Sequence, residues 1–254
     1  MEVFAGMFNG CSSFNQNLSS WNVSSGIRFQ GMFSGATLFN NGGDSGINNW
    51  SMTNAITLGS GNYGGMFTTA QSFNQPIGNW DVSNVTSMYQ MFMGAWAFNQ
   101  NIGSWNVSNV TDIRRMFDSA RDFNNGGSDS IRNWNVSGVT DFQLLFGRGS
   151  FGGDSPTSFN QPIGDWNTSS VTSMQSVFRG NTAFDQDLSN WDITTVSSFQ
   201  VLSWQFASNV GFSTTNYDAM LIAWEAQLQA AYPSGAGYTP TININFGSSQ
   251  YTLG

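Results

Sequence analysis

Carboxylates would have to supply most of the chemistry in this sequence, because its 254 residues contain neither histidine nor lysine. Without histidine there is no His-based triad, general base or zinc ligand, and without lysine no P-loop or Schiff base. Asp185 and Asp187 could form a glycosidase pair, which needs two acids, one of them with a raised pKa. Asp185 stands where a related segment carries Asn99, so the pair indicates drift of a repeat. An enzyme is therefore the least favoured function.

Three glycine-rich segments offer the residues best suited to holding a metal ion. Each contributes one acid, Asp44, Asp129 or Asp154. Ca²⁺ prefers oxygen ligands, which such loops could supply. Each loop has only a single acid and matches no known Ca²⁺-loop spacing, so surface turns are the favoured interpretation. We expect no cofactor, and Ca²⁺ remains the alternative.

Short polar side chains recur on both sides of an apolar residue that follows each tryptophan. We call this set the polar strip: Asp81, Ser83, Asn106, Ser108, Asn135, Ser137, Asn167 and Ser169. A regular, weakly charged row of this kind could bind a glycan or a protein edge through hydrogen bonds. The alternative is a solubilising face in which Ser and Thr bond to the turn backbone. The sequence leaves both interpretations open.

A repeat positions all of these residues. It is marked by a tryptophan, then by an apolar pair such as Met91-Phe92, then by a phenylalanine such as Phe98. Trp80 and Trp105 stand 25 positions apart. The marker tryptophans are Trp21, Trp50, Trp80, Trp105, Trp134, Trp166 and Trp191. A fixed period of this size predicts a solenoid of about seven coils, in which stacking buries apolar faces that no single coil could bury alone.

Each repeat also predicts local structure. The alternation of Trp80 and Val82 predicts a short strand that pairs in parallel with its neighbours. Apolar residues from 85 to 92, at steps of three and four, predict a helical or 3₁₀ turn. Asn99-Gln100 are polar yet recur in most repeats, which predicts a ladder of stacked amides at a corner of the coil.

The repeat pattern is M-F-x-x-A-x-x-F-N-Q-x-I/L-x-x-W-x-V-S-x-V-T-x-M, and residues 91–109 carry it nearly whole. It resembles the BspA-type leucine-rich-repeat surface proteins, the DUF285 repeat family, over about residues 4–199. The resemblance implies an open leucine-rich-repeat-like solenoid on surface-exposed or secreted proteins, often proposed as adhesins. It implies no catalytic residues.

The chain divides into a repeat solenoid over residues 1–200 and a C-terminal α/β cap over residues 201–254. Apolar residues at helical spacing predict a helix at about 216–231, and alternation predicts a strand at about 241–246. The first residues already stand in the middle of a repeat. We therefore expect a fragment of a longer protein, or a chain that lacks the N-terminal cap of one.

Charge and composition limit the partners. The net charge is −8 and only 9% of residues are charged, so nucleic acid and anionic membranes are not expected partners. No apolar window is long enough to insert into a membrane. Cys11, the single cysteine, aligns with alanines and is expected to be buried.

The favoured function is a non-enzymatic, extracellular or surface-displayed adhesion module that binds a protein or glycan on a cell surface. The first alternative is a structural subunit of an extracellular or virion assembly that packs on neighbouring subunits through solenoid ends or edges. The second is a carboxylate-dependent glycan hydrolase.

Overall fold

Short strands occur at one position in successive repeats. In this computed structural model, residues 2–149, 157–196 and 210–233 are described. The strands are β1 (Glu2–Val3), β2 (Gly26–Arg28), β3 (Thr57–Ser60), β4 (Gly64–Gly65) and β5 (Ser87–Met88). β1, β2, β3 and β5 pair in parallel, whereas β4 pairs antiparallel with β3. Parallel bridges Ser87–Asp112 and Asp141–Ser173 occupy the same position in later repeats. The sheet is therefore mixed, with its parallel pairs between repeats.

The predicted strand at Trp80 and Val82 is wrong. That segment is a turn, in which the Asp81 carboxylate accepts hydrogen bonds from the Ser83 backbone N–H (3.1 Å) and hydroxyl (2.6 Å). The strand falls instead at Ser87–Met88, inside the stretch for which a helical turn was predicted. An Asp or Asn two residues before a Ser bonds to the local backbone, and this local bonding competes with a strand ladder.

The 3₁₀ helices of the described repeats lie in insertions rather than after the strand. They span Asn41–Gly43, Ser45–Asn49, Asn125–Gly127 and Asp129–Asn133. Two fully buried asparagines anchor these insertions to the preceding repeat. Asn41 accepts a hydrogen bond from the Leu18 N–H (2.7 Å), and Asn125 accepts one from the Ile102 N–H (2.9 Å). The two insertions are therefore equivalent structures, 84 residues apart in the chain.

Aromatic rings from consecutive repeats stack along the core. The centroid of the Phe92 ring lies 5.7 Å from that of Phe67 and 5.6 Å from that of Phe117. Trp80 and Trp105 are nearly parallel, with centroids 6.4 Å apart. These side chains are buried, as the sequence predicted. The chain is thus a repeat protein whose core is shared between neighbouring repeats.

Each buried marker tryptophan makes the same polar contact with the repeat before it. The indole N–H of Trp80 donates to the Ile47 carbonyl (2.8 Å), and that of Trp105 donates to the Ile77 carbonyl (3.0 Å). Equivalent bonds come from Trp50, Trp134, Trp166 and Trp191. The bond satisfies a polar group that would be costly to bury alone, and it fixes the register between repeats.

The predicted amide ladder is confirmed. The Asn74 side-chain oxygen accepts from the Asn99 N–H (2.9 Å), and that of Asn99 accepts from the Asn124 N–H (2.8 Å). The ladder residues are Asn15, Asn40, Asn74, Asn99, Asn124, Asn160 and Asp185. Each side chain thus satisfies backbone donors of the following repeat.

Helix α1 spans Thr214–Ala231, close to the predicted range of about 216–231. It continues the contacts of a repeat, since the Trp224 indole donates to the Leu188 carbonyl (3.2 Å). The predicted strand at about 241–246 lies outside the described residues. No helix in the described ranges has the length and apolar character that crossing a membrane requires.

Candidate binding surface

The polar strip lies on the surface but not on strands. Asn106, Asn135 and Asn167 are exposed and sit in the turn that follows a buried tryptophan. Asn135 accepts hydrogen bonds from the Ser137 N–H (3.2 Å) and hydroxyl (2.7 Å). The same turn holds Asp81–Ser83, Asn106–Ser108 and Asn167–Ser169. The structure therefore gives the strip a local role in closing turns, in which the hydroxyls of Ser83, Ser137 and Ser169 bond to the preceding Asp or Asn side chain rather than to the turn backbone.

This bonding uses the side-chain oxygen of each strip asparagine and leaves its Nδ2 group outside the turn. Within the described residues, the side-chain oxygens of Asn106, Asn135 and Asn167 are occupied, whereas their Nδ2 groups contact no protein acceptor. An Asn side chain held by its oxygen has little remaining rotamer freedom. The strip thus presents a row of three oriented donors, one in each of the repeats that carry Asn106, Asn135 and Asn167.

The neighbouring row is tied to the backbone instead. The Asn84 amide donates to the Thr53 carbonyl (2.8 Å), and the Asn109 amide donates to the Ser83 carbonyl (2.7 Å). These bonds link consecutive repeats directly beside the strip. They give the strip a rigid base, because the turns cannot shift independently of one another.

Asp81 introduces a negative charge at one end of the described strip. Hydrogen bonds from the Ser83 hydroxyl and then from the Ser83 N–H lower the pKa of its carboxyl group. Asp81 is therefore ionised at neutral pH, while it makes the same turn as the asparagines. Aspartate and asparagine can consequently close the same turn. They differ in the second side-chain group, which is a carboxylate oxygen in aspartate and an Nδ2 donor in asparagine.

The glycine-rich loops place their acids differently from one another. The Asp44 carboxylate caps a 3₁₀ helix and accepts from the Ser19 hydroxyl (2.7 Å) and the Gly46 N–H (2.7 Å), and these bonds lower its pKa. In the second loop Ser128 holds that capping position, so Asp129 is not equivalent to Asp44. No group of three or more His, Cys, Asp or Glu side chains that could hold a metal occurs in the described part of the chain. Asp154 lies outside it.

Asp185 and Asp187 also have local partners. Burial raises the pKa of Asp185, but hydrogen bonds from the Ser213 N–H, the Asn216 amide and the Ser213 hydroxyl outweigh it, so the pKa is lowered. The Asp187 carboxylate accepts from the Ser189 N–H (2.8 Å). Asp185 is thus the last described member of the amide ladder and joins it to the start of helix α1.

The repeat pattern did not indicate a charged group that lies beside the strand position. Arg114 forms an ion pair with Asp112 (2.8 Å) and lies over the Tyr89 ring, 5.3 Å from its centroid. Hydrogen bonding to Asp112 raises the pKa of Arg114 further above its usual range. These residues flank the apolar positions of the true strand, so a correct placement of the strand would have indicated them.

Cys11 is exposed, and the expectation that it is buried is wrong. In later repeats the aligned Ala36 and Ala70 are fully buried between neighbours. Cys11 therefore holds the same position in its repeat as these alanines. Whether that position is buried depends on the neighbouring repeats.

The comparisons with known proteins identify the family. The profile of the family described as "Mycoplasma protein of unknown function, DUF285" matches residues 1–61, 44–154 and 128–225. The chain belongs to this family, as the motif over residues 91–109 predicted. The comparison with curated proteins and that with solved structures found no match.

Proposed function

We propose that this chain is a leucine-rich-repeat-like β-solenoid that acts as a non-enzymatic binding module on a cell surface or in the extracellular space. Its partner would be a protein or a glycan, bound along the polar strip. The observation that carries this proposal is the row of oriented Nδ2 donors of Asn106, Asn135 and Asn167. A rigid row of donors can bind acceptor groups at a low entropic cost, because the protein side is ordered before binding.

The environment of Asp185 also supports a non-enzymatic role. A glycosidase needs a general acid whose pKa is raised, so that it carries a proton at the working pH. The pKa of Asp185 is lowered instead, and its carboxylate is engaged by Ser213 and Asn216. Its contacts are those of a ladder residue.

The proposal can be tested by changing the outward atom while keeping the turn. In the triple variant Asn106→Asp, Asn135→Asp and Asn167→Asp, each carboxylate can accept the same bonds from the following serine, as Asp81 does. The melting temperature should remain close to that of the wild type. Binding of the purified chain to cultured cells and to a glycan array should fall, because the outward donors are replaced by acceptors.

A charge-matched control separates the loss of donors from the added negative charge. The triple variant Asn9→Asp, Gln16→Glu and Asn62→Asp adds the same charge at exposed positions outside the strip. The control should bind as the wild type does. If both triple variants lose binding equally, or if the wild type binds no surface, the proposal is rejected.

The second candidate, a subunit of an assembly, is favoured by the outer face of the first repeat. Val3 is 53% exposed and Met7 is 47% exposed there, and Trp21 is only half-buried. A second copy could cover this face. Light scattering over a concentration series distinguishes the two candidates, because an assembly subunit must form oligomers and a displayed module stays monomeric. Val3→Asp with Met7→Asp should abolish any oligomer that uses this face.

A further inference from the structure

The turn that defines the polar strip recurs in the last described repeat. The Asp192 carboxylate accepts hydrogen bonds from the Thr194 N–H (2.8 Å) and hydroxyl (2.6 Å), as the strip residues do from their serines. The Thr168 hydroxyl donates to the Asp192 carbonyl (3.0 Å), and this bond joins the turn of Asn167 to that of Asp192. Asp192 therefore continues the row beyond Asn167, and it places a carboxylate where the three repeats before it place an amide.

An open cleft lies between this turn and helix α1. Its volume is about 540 Å³, and it is lined by Asp192, Thr194, Gln227, Ala230 and Ala231. Small-molecule sites in proteins have volumes of about 300–1,000 Å³, so the cleft can hold a ligand of the size of a sugar ring. Because Asp192 is both a wall of the cleft and the next member of the row, the cleft stands at the end of the polar strip.

Hydrogen bonds between the helix and the turn fix the shape of the cleft. The Gln227 Oε1 accepts from the Ile193 N–H (3.2 Å), and its Nε2 donates to the Trp191 carbonyl (3.0 Å). The Tyr232 hydroxyl, just beyond the helix, donates to the Thr194 carbonyl (3.3 Å). Helix α1 is therefore tied to the repeat at several points, so the cleft is formed before any ligand binds.

The Asp192 carboxylate has an oxygen left for a ligand. Both hydrogen bonds of the turn go to Oδ1, and no group in the described ranges bonds to Oδ2. The Gln227 amide, by contrast, is engaged through both its oxygen and its nitrogen. Asp192 is only half-buried, so a ligand can reach its carboxylate. The acceptor that remains available at this wall of the cleft is therefore Asp192 Oδ2.

The electrostatic environment of the cleft favours a cation. The last turn of a helix carries a partial negative charge because its carbonyls lack intrahelical donors, and Ala230 and Ala231 belong to the last turn of helix α1. That turn contains no basic residue, and none of the five lining residues is basic. The charge of Asp192 and the end of the helix therefore act in the same direction.

We propose that the cleft binds the ammonium group of an amino sugar, at the end of a glycan that lies along the polar strip. The ammonium group donates a charge-assisted hydrogen bond to Asp192 Oδ2 and is attracted to the C-terminal end of helix α1. The methyl groups of Ala230 and Ala231 offer apolar contacts to the CH groups of the sugar ring. This inference rests on the proposed function of the strip and names the kind of sugar bound at one end of it.

A glycan fits this surface better than a peptide strand does. Asn106, Asn135 and Asn167 present donors, so the ligand must supply acceptors. A residue of an extended peptide directs its N–H and C=O to the same side. Each peptide carbonyl at the strip would therefore bring an N–H that needs an acceptor, whereas the outward groups of these asparagines are donors. A sugar hydroxyl can accept from the strip and keep its own hydrogen for water.

The test compares a tetramer of glucosamine with the tetramer of N-acetylglucosamine, which has the same sugar rings without the charge. Calorimetry at about pH 6, below the pKa of a primary amine, should show that the wild type binds the glucosamine tetramer about tenfold more tightly. This preference should shrink as salt is added. Asp192→Asn keeps the Oδ1 bonds of the turn and should remove the preference, while the affinity for the N-acetylated tetramer stays unchanged.

Two further variants control for charge and for folding. Asp122→Asn removes the same charge from an exposed position outside the cleft, and it should keep the preference of the wild type. Ala230→Arg leaves the turn untouched and places a cation at the cleft from an exposed helix position, so it should abolish the preference as Asp192→Asn does.

Several results would overturn the site. They are equal losses in Asp192→Asn and Asp122→Asn, equal affinities of the wild type for the two tetramers, and binding of neither tetramer. Tighter binding of a lysine peptide of the same charge would overturn the assignment to a glycan.

The triple variant Asn106→Asp, Asn135→Asp and Asn167→Asp separates this site from the proposed function. If that variant loses the N-acetylated tetramer while the wild type shows no preference for the glucosamine tetramer, the cleft is rejected and the strip remains. If the preference requires Asp192 and the triple variant binds the N-acetylated tetramer as the wild type does, the cleft remains and contact with the strip is rejected.

Discussion

Asn99 offers the sharpest test of how the repeats are held together. Its side-chain oxygen accepts from two backbone donors of the next repeat, the Asn124 N–H (2.8 Å) and the Gly126 N–H (2.9 Å). Asn99→Ala removes this acceptor and leaves both donors without a partner. Asn99→Asp keeps the acceptor, and Asp185 already occupies the equivalent ladder position.

The expected magnitudes follow from these contacts. A buried donor that loses its partner costs about 1–3 kcal/mol, and Asn124 is half-buried whereas Gly126 is exposed, so water can replace part of the second bond. We expect Asn99→Ala to lower the free energy of unfolding by about 1–3 kcal/mol. Asn99→Asp should stay within about 1 kcal/mol of the wild type at pH 7, because the carboxylate accepts the same two bonds in a charge-assisted form.

Urea denaturation followed by tryptophan fluorescence measures both variants, since Trp105 is buried in the adjoining core. Asn62→Ala is the matched control, because it removes the same side chain from an exposed hairpin and should shift the midpoint little. Two results would refute the reasoning: a loss below about 0.5 kcal/mol in Asn99→Ala, or an equal loss in Asn99→Ala and Asn99→Asp.

Three further measurements test other contacts. Trp105→Ala should lower the free energy of unfolding by about 3–5 kcal/mol, and Trp105→Phe should lower it by about 1–3 kcal/mol. Both variants leave the Ile77 carbonyl without its donor, and Trp105→Ala also opens a larger cavity. An unchanged urea midpoint in Trp105→Ala would contradict the buried packing. Thr69→Gly should raise the stability by about 1 kcal/mol in thermal melts, because Thr69 has a φ of 54°, where a β-branched residue is strained. Thr53 has no positive φ, so Thr53→Gly should not raise the stability. A lower stability in Thr69→Gly would contradict the strain at Thr69. The lowered pKa of Asp185 adds stability that is present above its unfolded pKa of about 3.9 and is lost as the pH falls through the folded pKa. Midpoints measured from pH 7 downward should therefore fall less in Asp185→Asn than in the wild type, and identical profiles would exclude this linkage.

At Trp80 and Val82 the apolar pattern alone does not decide between a strand and a turn. The alternation of Trp80 and Val82 correctly predicted that both are buried, but a strand and a turn can bury the same two side chains. The decision lay with Asp81 and Ser83, whose mutual bonds close the turn. The misplaced strand also explains why Arg114 and its partners were missed, because they flank the strand position that the structure has.

The repeat period, the inward aromatic positions and the amide ladder were determined by the sequence itself. They recur at fixed intervals, and large apolar side chains or amides at fixed intervals must meet their equivalents when the repeats pack. Only the tertiary structure decided that Asp118 and Gly149, 31 positions apart in the chain, bond to each other through the Asp118 carboxylate and the Gly149 N–H (2.6 Å). They occupy different positions within their repeats, so no period marks them. Their meeting depends on the register that the indole and ladder bonds impose between neighbouring repeats, and a register is a property of the packed chain.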